Sequence, residues 1–269
     1  MKKKKELKES VIGVFQANEK GFGFVKPEDG EKDEIFIPKQ YVNGALNEDV
    51  VEVEIDLNSK AKEGKRTEGK VSKIIRRGRQ TLVGTFQYNK NFGFVVPDDK
   101  KYGTDIFISK KHFGKARNNH KVKVKILKYP ENGKKAEGEV IEVLGGVNEA
   151  GVDMLSIIKE YELPSVFPEE VVAEAKVFGN KIDKNDIKNR KDLRNEIIFT
   201  IDGEDAKDLD DAVSVKKIEN GNYELNVHIA DVSHYVKDRT KLDREARIRG
   251  TSVYMLGRVI PMLPRELSN

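Results

Sequence analysis

Gly13-Val-Phe-Gln-Ala-Asn-Glu-Lys-Gly-Phe-Gly-Phe-Val-Lys-Pro27 returns as Gly84-Thr-Phe-Gln-Tyr-Asn-Lys-Asn-Phe-Gly-Phe-Val-Val-Pro97. The register persists beyond this stretch. Glu34-Ile-Phe-Ile37 recurs as Asp105-Ile-Phe-Ile108, and Glu68-Gly-Lys-Val71 as Glu137-Gly-Glu-Val140, at offsets of 71 and 69 residues. Repetition on this scale marks two copies of one domain. Inside each copy apolar residues alternate with polar ones, as at Val51, Val53 and Ile55 and again at Val122, Val124 and Ile126, which is the period of a strand with one buried face. Five short strands in about 65 residues predict a small OB-type barrel. Ser59 to Lys70, charged and containing glycine, reads as a long exposed loop.

The composition agrees with several small modules. Charged residues make up 36% of the 269 and hydrophobic ones 37%, so cores are small and surfaces ionic. Lys and Arg exceed Asp and Glu by 50 to 46, a tilt toward polyanionic partners. The absence of cysteine excludes disulfides, thiolate metal sites and Cys nucleophiles. MKKKKELKES at the start is a basic tail without the apolar core of a signal peptide, and no apolar run reaches membrane-spanning length. A soluble, cytoplasmic, monomeric protein with no membrane partner is expected.

Phe22 and Phe24 lie two apart and share one strand face, as do Phe92 and Phe94. On an outer face such rings form a stacking platform for bases, worth roughly 1–3 kcal/mol per base, and Lys20, Lys26, Lys39 and Lys90 stand ready for phosphates. The competing reading places these rings in the core. Interleaved Gly and Lys, repeated in both copies, favour the platform: Gly21 and Gly23 cannot cover a base, and Asn91, at the Gly21 position, tolerates a positive φ.

Lys20-Gly-Phe-Gly-Phe-Val25 resembles the first RNA-binding motif of cold-shock domains, and Ile35-Phe36-Ile37 the second, which implies that Phe36 and Phe107 join the platforms. Where cold-shock proteins carry His and Phe after the second motif, this chain has Pro38-Lys39 and Ser109-Lys110, so less stacking and more electrostatic attraction is expected. Tyr41 and His112 are either partial substitutes or ordinary surface residues.

After Gly145-Gly146 the pattern turns helical. A helix is expected over Asp153–Tyr161, ended by Pro164. A second follows with Pro168 and two Glu in its first turn, Phe167, Val171, Ala175 and Phe178 on one side, and Gly179 as its stop. Lys181–Asn195 reads as loop, with Arg190 and Arg194 as phosphate contacts or solvated charges.

Thr200-Ile-Asp-Gly-Glu-Asp-Ala-Lys-Asp-Leu-Asp-Asp-Ala-Val-Ser-Val215 carries the strongest chemical signal. Ile197–Ile201 reads as a strand ending at Asp202, and Ala212–Val215 as the next, with Asp210 and Asp211 at its entrance. Asp202, Asp208, Asp210 and Asp211 brought together would repel unless a cation neutralised them. An all-oxygen donor set without His or Cys suits Mg²⁺ or Mn²⁺, and such ions activate water and polarise phosphate in phosphodiester hydrolysis. An EF-hand loop is excluded, because Ala206, Lys207 and Val213 stand where a loop starting at Asp202 needs an oxygen ligand, Gly and Glu. The remaining alternative is an acidic surface turn, the reading given to Glu204 and Asp205.

The string from Thr200 to Val213 resembles the catalytic signature of the RNase II and RNase R (RNB) exoribonuclease family, and the Gly-Glu-Asp spacer brings it nearer the RNase R kind. Val227-His-Ile-Ala-Asp-Val-Ser-His-Tyr235, Gly250-Thr-Ser-Val-Tyr254 and Arg258-Val-Ile-Pro-Met-Leu-Pro264 add to the likeness. The resemblance implies a mainly β architecture of two OB-type (cold-shock) barrels, a short helical connector and the incomplete start of a mixed α/β RNB catalytic domain. The expected divisions are a tail over 1–10, barrels over 11–76 and 77–146, a connector over 147–195 and the RNB start over 196–269. It further implies a magnesium-dependent, processive 3′-to-5′ exoribonuclease releasing nucleoside 5′-monophosphates. Asp202, Asp208, Asp210 and Asp211 would be its metal-binding and catalytic carboxylates, and Tyr254 would stack on the 3′-terminal nucleotide. The expected partners are single-stranded RNA and structured RNA with a 3′ overhang. A lone His in an alternating strand is more often structural, so His228 and His234 are read as packing ahead of chemistry, and Asp231 stays open between the two. Because the family's later Arg and Glu and a C-terminal OB domain fall outside this sequence, the chain alone is expected to be inactive. The alternative function is a non-catalytic single-stranded RNA-binding module.

Overall fold

The computed structural model describes residues 8–28, 33–56, 67–131, 134–178, 182, 184–204, 206 and 209–268. Residues 1–7 of the expected tail, residues 59–66 of the expected loop, the Gly179 stop, Asp205 and Asp208 lie outside these residues, while Lys8–Ser10 prove to open the first strand and Gly69–Lys70 the fifth. The chain divides into two units, Met1–Leu163 and Pro164–Asn269.

In the first unit, β1 (Lys8–Ala17), β2 (Gly23–Pro27), β3 (Ile35–Ile37), β4 (Val50–Asp56) and β5 (Gly69–Arg76) form a sheet in the order β3-β2-β1-β4-β5. A parallel bridge from Phe36 to Glu68 brings its two edges together. β6 (Thr81–Asn89), β7 (Phe92–Pro97), β8 (Ile106–Ser109), β9 (His120–Lys128) and β10 (Glu137–Gly146) repeat the plan as a closed barrel, with β8 and β10 parallel at Phe107 and Glu137. Each copy therefore adopts the OB-type barrel that the alternation predicts. The inward residues form separate cores, one around Phe15, Val25, Ile37 and Val53, the other around Phe86, Val95, Ile108 and Val124.

Two glycine readings change on inspection. Gly23 and Gly93 face inward, and a Cβ there would run into the rings of Phe15 and Phe86. They are glycine because a core aromatic lies on them, not because a base must pass over them. The positive φ expected at Asn91 falls instead on Lys90 (29°), since Asn89 pairs directly with Phe92 and the turn is one residue shorter than Asn18–Phe22, where Gly21 takes the left-handed conformation at 88°.

The copies also differ in the sign of their surface charge. On β4 and β5, Glu52 faces Lys73 and Glu54 faces Lys70; on β9 and β10, Lys125 faces Glu139 and Lys123 faces Glu142. Cross-strand attraction is kept in both barrels while the sign at corresponding positions is reversed.

A joint of three residues links the barrels. Arg77 donates to the Asp49 carboxylate (2.7 Å) and the Gly44 carbonyl (3.0 Å), and its guanidinium lies 3.9 Å over the Tyr129 ring. Asp49, buried, also accepts from the Gly78 and Leu46 amides at 2.9 and 2.8 Å. Arg79 takes both Glu48 oxygens at 2.7 and 2.8 Å and reaches Glu160 at 3.1 Å. Leu46 of the first copy packs into the second barrel's core.

Helix α1 (Val152–Glu160) packs Val152 and Leu155 on Val83 and Leu144 of the second barrel, and Glu160 accepts from the Val83 amide at 2.6 Å. It belongs to the first unit, so the 147–195 segment is shared between the two.

The second unit opens with α2 (Glu169–Lys176), whose Val171 and Ala175 pack with Phe167, Phe178 and Leu242 on the side that the sequence marks. Then follow a short helix, α3 (Lys184–Ile187), inside the stretch read as loop, and a hairpin of β11 (Asp211–Lys217) and β12 (Tyr223–Ile229). The chain continues through α4 (Val232–Tyr235), α5 (Lys241–Arg249), the hairpin β13 (Val253–Met255) and β14 (Arg258–Ile260), and α6 (Arg265–Ser268). Ile197–Ile201 is not a strand: among these residues only Phe199 pairs, with Val213, through two backbone hydrogen bonds of 2.8 and 3.0 Å. Ile197 and Ile201 are more than four-fifths exposed, so no packing extends that pair into a ladder. No helix among the described residues is long and apolar enough to cross a membrane.

Candidate functional site

Each barrel carries three phenylalanines outside its core. In the first, Phe24 and Phe36 are cross-strand partners on β2 and β3, and Phe22 joins them, with ring centroids 5.5–5.9 Å apart. In the second, Phe94 and Phe107 pair across β7 and β8, with Phe92 beside them at 5.3–5.9 Å. All six rings are half-buried and absent from the two core clusters. The strand period explains the arrangement: Gly23 and Val25 point inward, so Phe24 and Lys26 point out. Lys20, Lys26, Lys39 and Lys90 are exposed and form no ion pair among the described residues. Lys135, which sequence reasoning missed, places its ammonium 5.1 Å from the centre of the Phe94 ring, a cation–π arrangement. Its signal was the Lys134-Lys135 pair just before β10.

His112 sits 3.4 Å from Glu139, and Tyr41 is a partly exposed surface residue.

In the second unit, Asp211 is the first residue of β11, opposite Ile229, and the Asp210 carbonyl accepts from the Ala230 amide at 2.9 Å. Phe199 is locked to Val213, so continuing that register would set Asp202 opposite Asp210. The ladder does not run that far: Asp202 lies outside any strand, whereas Asp210 and Asp211 stand at the entrance of β11, and all three are exposed. Among the described residues no three acidic or histidine side chains stand close enough to hold a metal ion; Asp208, the fourth expected ligand, lies outside them. The donor set is nonetheless all carboxylate and open to solvent, which fits a hydrated Mg²⁺ or Mn²⁺.

A cleft of about 650 Å³ adjoins this entrance, lined among others by Leu209, Asp210, Val232, Ser252, Tyr254 and Leu263. Asp210 and Tyr254, 44 positions apart in the numbering, therefore border one space. Tyr254 sits on the β13–β14 hairpin, 63% exposed. The hairpin is braced from behind: Ser252 Oγ accepts from the Met262 amide (3.0 Å), and the Arg249 guanidinium, 1% exposed, binds Glu245 (2.8 Å), the Pro261 carbonyl (3.1 Å) and the Val166 carbonyl (3.0 Å) over the Phe167 ring.

The ambiguous residues have other partners. Asp231 takes the Arg190 guanidinium, which holds its carboxyl below the ordinary value. His234 lies 3.1 Å from Asp186, His228 exchanges a 3.0 Å hydrogen bond with Ser214, and Arg194 pairs with Asp192 at 2.6 Å.

The two barrels and the segment after them each match a known family. Residues 13–74 match the ribonuclease B OB domain, residues 94–168 the cold shock domain, and residues 190–269 the RNB domain. The class so defined is that of a tandem OB-barrel protein joined to an RNB segment. Ribonuclease R of Thermotoga maritima is 45% identical over 261 residues, covering 96% of this chain and 36% of the relative. The structure of Mycoplasma genitalium RNase R, in complex with ribose methylated single-stranded RNA, superposes with a TM-score of 0.85 at 27% identity over 96% of this chain and 41% of that one. The chain belongs to the ribonuclease R family. It spans about a third of the length of the ribonuclease R sequences it matches. Yeast Ssd1, described as a pseudonuclease, shares the fold at a TM-score of 0.70 and 19% identity, over 96% of this chain and 38% of its own.

Proposed function

We propose that the protein acts in RNA degradation as a processive 3′-to-5′ exoribonuclease releasing nucleoside 5′-monophosphates. The observation that carries this reading is the shared cleft of Asp210 and Tyr254 next to Asp211, the first residue of β11. A ring and a carboxylate edge across one space suit a terminal nucleotide whose base stacks on Tyr254 while its phosphate faces the aspartates. Asp202, Asp208, Asp210 and Asp211 would hold Mg²⁺ or Mn²⁺. When bound, such ions supply the activated water and the charge stabilisation that phosphodiester hydrolysis needs. The side chains of the chain itself orient the strand: the Phe22/Phe24/Phe36 and Phe92/Phe94/Phe107 faces stack unpaired bases while Lys20, Lys26, Lys39 and Lys90 take phosphates. The RNA-bound relative supports single-stranded RNA as the partner.

A second reading, an RNA-binding module without catalysis, needs only the two barrels and their outer phenylalanine faces. The deciding experiment follows a 5′-labelled single-stranded RNA incubated with residues 1–269 and with the chain extended to the length of its relatives. Each is assayed with magnesium and with chelator, beside Asp211→Asn and Tyr254→Ala. Metal-dependent shortening from the 3′ end by the extended protein, lost in Asp211→Asn, is expected. Binding without shortening would establish the second reading instead.

A further inference from the structure

The turn between the third and fourth strands of each barrel is the same element put to two uses. In the first copy it runs Lys39-Gln-Tyr-Val-Asn-Gly-Ala-Leu46 and is spent on the barrel joint. Ala45 and Leu46 are buried, Leu46 in the second barrel's core. Gly44 lies so close to the Pro130 carbonyl that no side chain would fit. In the second copy the corresponding turn reads Lys110-Lys-His-Phe-Gly-Lys-Ala-Arg117. Its backbone is equally fixed: Ala116 N–H donates to the Phe113 carbonyl (3.0 Å), His120 N–H to the Arg117 carbonyl (3.0 Å), and the Phe113 ring meets Phe86 edge-on at 4.9 Å. Yet Lys110, Lys111, Lys115 and Arg117 are all exposed, and none forms an ion pair among the described residues.

Four unneutralised cations on a rigid eight-residue turn repel one another and persist at a cost unless an anion visits them. The turn starts where the second platform stops, since Ser109, just before Lys110, pairs with Phe92. The nearest exposed ring, Tyr88, is held edge-on to Phe113 with its hydroxyl donating to the Lys90 carbonyl. The turn therefore offers four exposed cations with the exposed ring of Tyr88 beside them, so phosphate contacts outnumber any stacking contact there. Bases need not be unpaired to meet it.

We infer that residues 110–117 form a second RNA-binding surface on the second barrel. This surface holds backbone phosphates rather than bases and so accepts the paired region that precedes a 3′ overhang whose bases lie on the Phe92/Phe94/Phe107 platform. The inference rests on the reading of the platforms as RNA-binding.

The test measures binding of the 269-residue chain to two labelled RNAs by fluorescence anisotropy. One is a single strand of about 4 nucleotides, the lower end of an OB-fold site; the other is a hairpin carrying the same strand as its 3′ overhang. Lys111→Glu/Lys115→Glu/Arg117→Glu is expected to weaken hairpin binding about tenfold or more and to change short-strand binding less than about twofold. The neutral triple alanine variant should lower the log–log salt slope for the hairpin by about 2 to 3, near 0.9 per lost duplex phosphate contact. All three side chains are exposed, so circular dichroism should be unchanged in both variants. Equal losses on the two RNAs, or no loss on the hairpin, would overturn the inference while leaving the platforms intact. If the unsubstituted chain binds neither RNA, the reading of the barrels fails, and this surface with it.

Discussion

Replacing Arg79 by methionine removes the clamp that ties Glu48 to Glu160 while keeping an unbranched apolar stem. The two halves of the clamp are not equal. The Glu48 side chain is 43% exposed, and an ion pair so open to water contributes under about 1 kcal/mol. Glu160 is 10% exposed; without Arg79 its carboxylate keeps only the Val83 amide, and a buried charged acceptor left short of a donor costs about 1.5–3 kcal/mol. The total is a loss of about 2–4 kcal/mol in the stability of the barrel pair. The pH dependence identifies the cause. Burial already pushes the Glu160 carboxyl above its ordinary 4.5, against the Val83 hydrogen bond and the attraction of Arg79; removing Arg79 lifts it further. A carboxyl with a raised folded-state pKa holds its proton more tightly in the folded protein. Stability therefore falls as pH rises through that pKa and recovers on acidification. The destabilisation of Arg79→Met relative to the unsubstituted chain is thus expected to be greatest at neutral pH and to shrink as the pH is lowered toward about 5. Urea unfolding of both proteins across that range measures it. A pH-independent difference would refute the stranded-charge argument and assign the loss to packing.

Other perturbations probe separate links. Gly23→Ala forces a methyl group into the Phe15 ring, and overpacking of this kind is expected to cost at least about 1–3 kcal/mol, read as a lowered Tm with the outer Phe face chemically unchanged. Arg249→Lys should destabilise the second unit by about 3 kcal/mol or more, because one ammonium cannot reach Glu245, Pro261 and Val166 together or stack on Phe167 as the planar guanidinium does; hydrogen exchange across 250–262 would show whether the Tyr254 hairpin loosens. Exchanging charges in the first barrel (Glu52→Lys, Glu54→Lys, Lys70→Glu, Lys73→Glu) keeps each native cross-strand pair attractive. It also makes β4 complementary to β10 and β5 to β9. Native stability should hardly move, yet refolding at high concentration should yield more swapped oligomer, and an unchanged elution profile after refolding would count against a role for the charge inversion.

The barrels were legible because their signal is local and doubled: alternation such as Val51, Val53 and Ile55 fixes which side faces in, and the same period puts Phe22 and Phe24 on a common outer face. The side of α2 that packs, with Val171 and Ala175, was readable for the same reason at helical spacing. The Ile197–Ile201 segment misled because β-branched composition reports suitability for a strand, whereas a strand also needs a partner along its length, and only Phe199 has one. The barrel joint was not legible at all. Arg77, Gly78 and Arg79 resemble a solvated linker until Asp49, Glu48 and Glu160 are brought to them from 28 to 81 residues away. At the acidic segment the spacing put Asp210 and Asp211 at a strand entrance, where Asp211 does begin β11, while the strand end expected at Asp202 went with the Ile197–Ile201 strand; the gathering of carboxylates around a point is a matter of side-chain geometry that composition does not encode.

The divergence between the copies follows from what each turn touches. Glu48 adopts φ 70° and Asn119, at the same place in the second copy, φ 62°; both donate their amides to the carbonyl of the core phenylalanine, Phe15 or Phe86, at 2.8 and 2.9 Å. The barrel needs a left-handed residue there in each copy. Asparagine meets that need at low cost, whereas a glutamate in this conformation is strained by roughly 1–3 kcal/mol. Strain of that size is retained only where surroundings hold it, and at Glu48 they do, through the two-pronged contact with Arg79. Asn119 has no such side-chain contact among the described residues, and the turn before it carries charge. One duplicated element thus serves as a fastener in the first barrel and an exposed cationic surface in the second; the turns keep the same hydrogen-bonded frame and part at Gly44, left-handed at φ 77° under the Pro130 carbonyl, where Lys115 of the second copy is not.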